Sequence, residues 1–290
     1  VELLTGTAER RARLAGIGQE HFQPGASSFA RLHVDGPPLA LLPGDRFIVR
    51  GFAKTQDTGA TLGGGIVLDA HPPPRRRSDP KLLEDLRVLL KANPKECVQV
   101  RVARTGFAGL DLSQLTLESG LSETEAKTLL EELDENGQLV NTGRQFWLDA
   151  SVMDRLEGQL LETVSRFHDD QPMRPGMQWA SLLARLPKNV PAPIAEFALQ
   201  RLVISERVET QSDVVWLSTH QVRLDPEGER VASLIIKEAR RVGLEPPGSR
   251  EWAELLGVSG ENFRDLVAHL ERQGHLIRAP GDLWFERESV

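Results

Sequence analysis

Apolar and polar positions along this chain spell one pattern three times. A helical-spaced apolar stripe is followed by a polar break, a short alternating segment, a polar turn and a second short segment with tryptophan near its end. The first copy runs from Leu129 to Leu148 and breaks at Asn136-Gly137. The second runs from Ala198 to Leu217. The third runs from Leu266 to Phe285 and breaks at Gly274. The closing residues Trp147, Trp216 and Trp284 lie 69 and 68 positions apart. A fixed period of that size predicts a tandem array of small domains.

Each copy closes a longer unit. In residues 78–150, Ser78-Asp79-Pro80 caps a predicted helix bearing Leu82, Leu83, Leu86, Leu89 and Leu90. Leu110–Leu117 predicts a second helix. Ser122 and Glu125 form a capping-box pair that opens a third. Helix, helix, turn, helix, strand, strand is the order of a winged-helix domain. Residues 151–218 repeat it: Leu156–Phe167, a break through His168, Pro172, Arg174 and Pro175-Gly176, then Trp179–Leu186 and Ile194–Ile204. Residues 219–290 repeat it again, with Val231, Leu234, Ile235, Ala239 and Val242 on the first helix, Trp252–Leu256 as the second and Ser259 introducing the third.

Residues 1–77 show no helical stripe. Arg10–Ile17 alternates loosely, and Phe29–Val34 and Leu39–Leu42 read as strands. So does Arg46–Phe52, with Phe47 and Val49 on one face and Arg46, Ile48 and Arg50 on the other. Gly63–Asp69 ends the set. Short strands joined by Gly/Pro turns predict a small barrel, and a start inside a strand, without Met, suggests that its first strand is missing.

Leu4-Thr5-Gly6-Thr7-Ala8-Glu9, Gly44–Arg50, and Gly63–Asp69 followed by Pro72-Pro73-Pro74-Arg75-Arg76-Arg77 resemble the third domain of the bacterial selenocysteine-specific translation elongation factors, the SelB family. The resemblance extends over the whole chain and implies a multidomain fold: an incomplete all-β barrel of the translation-factor kind over 1–77, then three α+β winged helices over 78–150, 151–218 and 219–290. In that family the barrel contacts selenocysteinyl-tRNA and the GTPase domain. Four winged helices follow it, the last gripping the mRNA hairpin that recodes UGA on the ribosome. The third unit here looks more like the family's third than its fourth, which would leave an arm that holds the hairpin-binding end away from the body. GTP and Mg belong to the family's N-terminal part, so neither carries over to any residue of this chain.

Charge refines this picture. Residues 1–77 hold ten Lys and Arg against seven Asp and Glu, a balance of +3; the remainder holds 25 against 35, a balance of −10. An array gripping nucleic acid along its length should be basic, so the acidic units read as a spacer. The third predicted helix of the first unit is poor for DNA readout, with Lys127 among Glu123, Glu125, Glu131, Glu132, Asp134 and Glu135. Its counterpart in the second unit offers Glu196, Gln200 and Arg201. The last offers Arg264, His269 and Arg272 among acids, and its wing adds Arg278. Arg264, Arg272 and Arg278 are candidate RNA contacts; Arg75, Arg76 and Arg77 are either RNA contacts or a solvated hinge behind three prolines.

Other chemistry recedes. Gly63-Gly64-Gly65 lacks the following Lys-Ser or Lys-Thr of a phosphate loop and reads as a close backbone approach. His168 has no metal-spaced partner and reads as a helix-terminal or loop hydrogen-bonding group. The tryptophans read as wing packing rather than base stacking. No nucleophile-elbow, zinc-protease or Cys-x-x-Cys motif is present, so no catalytic residue, metal or cofactor is assigned. The single cysteine, Cys97, suits a reducing cytoplasm, and no apolar run approaches the roughly 20 residues of a membrane helix. A cytoplasmic monomer is expected. Two other readings remain: a tandem winged-helix transcription regulator on DNA, and an acidic protein-interaction scaffold.

Overall fold

The computed structural model describes residues 1–51, 60–143, 146–222, 224 and 226–287. Phe52, expected to end a strand, and Arg144 and Gln145 in the first wing turn lie outside the described residues. The chain divides into two compact units, Val1–Arg155 with Asn189–Ile194, and Leu156–Lys188 with Ala195–Val290.

The first unit opens with strands β1 (Glu2–Thr5), β2 (Ala8–Gly16), β3 (Ala30–Val34), β4 (Arg46–Arg50) and β5 (Thr61–Ile66). They form one antiparallel sheet in the order β3-β2-β1-β4-β5, a half-barrel whose edges are β3 and β5. Leu3, Ala12 and Val49 are buried on its inner face. Leu39–Leu42 is not a strand. The Leu42 amide donates to Asp45 Oδ2 at 2.8 Å and the Asp45 amide to the Leu42 carbonyl at 3.1 Å, so the run ends in a turn through Pro43 and Gly44. The triglycine is a close approach, as expected. A Cβ on Gly64 would stand 2.7 Å from the Phe47 carbonyl oxygen, and one on Gly65 would stand 2.6 Å from the tip of the Phe47 ring.

Helices α1 (Pro80–Lys91) and α2 (Pro94–Thr105) follow, then β6 (Leu110–Asp111), α3 (Leu112–Ser119), α4 (Glu123–Glu135), β7 (Leu139–Asn141) and β8 (Phe146–Asp149). The three strands pair in the order β6-β8-β7. Here the structure departs from the sequence expectation. The core contains Val98 and Val102 of α2 with Leu115, Leu130, Leu133, Leu139 and Trp147, and no residue of α1. The helix that completes this group is therefore α2. It starts at Asn93, whose side chain accepts from the Glu96 amide, with Pro94 in the first turn. Valines at 98, 100 and 102 alternate as a strand would, which hides the helix in the sequence. The capping box of Ser122 and Glu125 is present at the start of α4.

α2 also links the sheet to the helices. The Arg104 guanidinium pairs with Asp69, just past β5, and with Glu118 of α3, all three side chains being almost fully buried. One turn earlier Arg101, 2% exposed, donates through Nη2 to the Leu68 carbonyl at 3.3 Å. Arg75 adds an ion pair with Asp85 of α1 at 2.6 Å.

The second unit takes in most of α5 (Ala150–Asp170), then β9 (Met177–Gln178), α6 (Trp179–Leu183), α7 (Ala192–Ile204), β10 (Val208–Gln211) and β11 (Val214–Leu217), with strand order β10-β11-β9. α6 stops at Leu183, short of the expected Leu186, because Arg185 and Leu186 donate to the carbonyls three residues back and tighten the chain into turns. It continues with α8 (Pro226–Val242), α9 (Ser249–Leu256), α10 (Gly260–Arg272) and the hairpin β12 (Leu276–Ala279) and β13 (Leu283–Glu286). Val231, Ile235, Trp252, Phe263, Leu266, Leu270, Leu276 and Trp284 form the core of this last group. Trp147 and Trp284 are buried, as packing residues should be, whereas Trp216 is half-buried.

Two stability outcomes follow from this geometry. Gly64→Ala should cost ~1–3 kcal/mol in denaturant unfolding, since backbone must move, while Gly63→Ala, with open space around its Cβ, should stay within ~0.5 kcal/mol. Arg104→Met leaves two carboxylates buried together and should cost ~3–5 kcal/mol in the same assay.

Candidate nucleic-acid interface

Strand register decides which side chains share the sheet's outer face. Arg13 stands opposite His33, Ala15 opposite Arg31, Arg11 opposite Glu2, and Glu2 opposite Arg50. Arg46 and Ile48 lie on the Arg50 side of β4, and both are exposed. This face therefore gathers Arg11, Arg13, Arg31, Arg46, Arg50 and His33 against Glu2 and Glu9. Five guanidinium groups and two carboxylates on one sheet face make a basic surface suited to phosphate.

The Arg75–Arg77 segment adds to it unequally. Arg75 is occupied by Asp85, and its carbonyl accepts from Arg31 Nη1 at 3.1 Å. Arg76 is exposed. Arg77 is also exposed, donates to the Gly16 carbonyl at 3.4 Å, and lines one cavity with Arg13 and His33. The sequence pattern singles out the arginine triplet and passes over the strand arginines that surround it. Their signal is the alternation itself, which puts residues 11, 13, 46 and 50 on the polar face.

The helical candidates are more constrained. Arg278 pairs with Asp282 at 2.5 Å and lies 5.6 Å from the centre of the Trp284 ring, so it braces its own hairpin. Arg272 Nε donates to the Ala268 carbonyl. Arg264 is exposed on α10, whereas His269, expected among the exposed positions, is buried. On α4 the exposed face is acidic; its Lys127 is paired with Glu131, and Lys95 of α2 is paired with Glu132. On α10 the acids are partly neutralised, because Arg174 reaches Glu261 at 2.5 Å and Asp265 at 3.3 Å.

His168, in the last turn of α5, is a buried ring stacked on His220, centroids 3.6 Å apart and planes 13° apart. His220 Nε2 meets the Arg174 carbonyl at 3.1 Å. The expected hydrogen-bonding role of His168 is not seen: neither ring nitrogen has a partner among the described residues. Burial, and then the neighbouring His220 ring, push its pKa down to about 4 against the opposing pull of Asp169. No group of three or more metal-ligating side chains occurs among the described residues, and no helix among them is long and apolar enough to cross a membrane.

Residues 161–217 match the family model described as elongation factor SelB, winged helix. A selenocysteine-specific elongation factor from Desulfomicrobium baculatum is 26% identical over 291 residues, covering 98% of this chain. The chain is thus similar to SelB elongation factors, most specifically to a SelB winged helix over residues 161–217. It spans 44% of the length of the Desulfomicrobium protein. A crystal structure of bacterial selenocysteine-specific elongation factor EF-Sec aligns with 98% of this chain and 50% of that chain, with a TM-score of 0.49 and 11% identity. The SelB winged-helix match contains His168, Arg174 and α7.

A pH effect follows from His168. The unfolded imidazole titrates near its ordinary 6.5 and the folded one near 4. Between these values the unfolded chain binds the extra proton, so the stability present above pH 6.5 drains away as pH falls toward 4. In urea unfolding at pH 7 and pH 4.5, His168→Phe should lose less stability on acidification than the unsubstituted protein. Equal losses would mean that His168 is not a source of acid sensitivity.

Proposed function

We propose that this chain is the barrel-and-arm portion of a factor that delivers selenocysteinyl-tRNA to the ribosome at recoded UGA codons. Residues 1–77 act as the tRNA- and GTPase-domain-contacting body, and 78–150, 151–218 and 219–290 are three winged helices directed toward the mRNA hairpin. The observation that carries this reading is the division of charge: a basic sheet face against an acidic α4. Phosphate is attracted to the first and repelled by the second. The similarity of 98% of the chain to a selenocysteine-specific elongation factor supports the same assignment.

In this reading the chain itself catalyses nothing, and GTP and Mg are bound elsewhere in the whole cytoplasmic, monomeric factor. The arm acts as a spacer. Arg75 is already engaged by Asp85 and Arg278 by Asp282 and Trp284, which leaves Arg264, Arg272, Arg76 and Arg77 as the remaining RNA-contact candidates of the sequence.

Gel-shift titration with selenocysteine tRNA, the cognate mRNA hairpin and duplex DNA, at two salt concentrations, tests the proposal. The tRNA should bind, and Arg46→Glu with Arg50→Glu should weaken it. The log–log salt slope should fall by ~0.7–0.9 for each phosphate that is no longer neutralised, while Arg278→Ala should leave binding unchanged. Preference for duplex DNA would favour a transcription regulator. No binding to any nucleic acid would favour an acidic interaction scaffold.

A further inference from the structure

We propose that a cavity beside β2 and β3 binds a single nucleotide, with the Phe22 ring against the base, Glu20 on a ribose hydroxyl and Arg13 and Arg77 on the phosphate. The cavity has a volume of about 380 Å³ and is lined by Arg13, Gly16, Glu20, Phe22, His33 and Arg77 among others. That volume lies within the ~300–1,000 Å³ typical of small-ligand clefts.

The lining offers an aromatic ring, a carboxylate and two guanidinium groups. Aromatic rings stack on bases whatever their identity. A carboxylate accepts hydrogen bonds from ribose hydroxyls, as in dinucleotide sites. Guanidinium groups meet phosphate oxygens in pairs. Neither the Arg13 guanidinium nor the Glu20 carboxylate has an ion-pair or side-chain hydrogen-bond partner among the described residues, although both line the same space. Arg77 has one long bond to the Gly16 carbonyl, which leaves most of its five donors available. Phe22 keeps 44% of its surface exposed at this cavity.

The backbone shapes the cavity. β2 ends at Gly16, where a Cβ would come within 2.3 Å of the Gln19 carbonyl oxygen, so only glycine lets the chain fold back there. Gly18 then takes φ +75°, a left-handed turn. These two glycines bring Glu20 and Phe22 over the end of β2, and Arg77 closes the other side.

This inference goes beyond the delivery reading and can survive its failure, because it concerns a mononucleotide and is read without structured RNA. The test is calorimetric titration of the whole chain with adenosine 5′-monophosphate, adenosine and inorganic phosphate. The monophosphate should bind at least about ten-fold more tightly than either part, and Phe22→Ala and Arg77→Ala should each weaken it roughly ten-fold. Phe22→Tyr should retain binding, and circular dichroism should show each variant folded. A single-stranded hexaadenylate binding at least as tightly would identify RNA as the source, whereas binding of the monophosphate alone would identify a free nucleotide; both support the site. Absence of monophosphate binding, or equal binding by folded Phe22→Ala and Arg77→Ala, would overturn it.

Discussion

A buried guanidinium between two buried carboxylates is the constraint on which the first unit rests. Charges taken out of water are tolerated only where opposite charge and hydrogen bonds replace the solvent. Burial alone would lower the Arg104 pKa, but Asp69 and Glu118 outweigh it and hold the group ionised. The three residues come from the segment after the sheet, from α2 and from α3, so their pairing requires all three to be in place at once. Arg101 is a harsher case. It is just as buried, has one backbone carbonyl as acceptor, and its Nε and Nη1 have no partner among the described residues, so burial lowers its pKa.

These two arginines also explain what was hard to read. The closing helices of the first and last groups are legible because they have clean apolar stripes and caps, Ser122 with Glu125 before α4 and Ser259 before α10, each followed by a Trp-closed hairpin. α2 is not, because two of its inward positions are arginines whose burial depends on partners at Asp69, Glu118 and Leu68, remote in sequence. No local pattern reports such compensation. Leu39–Leu42 failed in the opposite direction: it looks like a strand, but it is only a four-residue run between prolines and closes a turn with Asp45. The interface was half legible. The triplet Arg75–Arg77 stands out in one dimension, whereas the arginines of β2, β3 and β4 become a surface only once register aligns them.

The same rule separates side chains that can meet a ligand from those that serve the fold. Arg75, Arg104, Arg174 and Arg278 are all engaged with carboxylates of this chain. Arg13, Arg46, Arg76 and Arg264 are exposed. Counting arginines in the sequence gives these groups equal weight, whereas the structure divides them by partner.

Arg174 shows how differently two linkages within this protein respond to solvent. Its guanidinium is about one-third exposed and its partner Glu261 is 73% exposed, so mobile ions reach the bridge to α10 and screen it. The Arg104 cluster, shut away from solvent, is hardly reached by them. Raising ionic strength is therefore a selective solvent lever: it slackens the tether at α10 while the seam between the sheet and α2 stays tight.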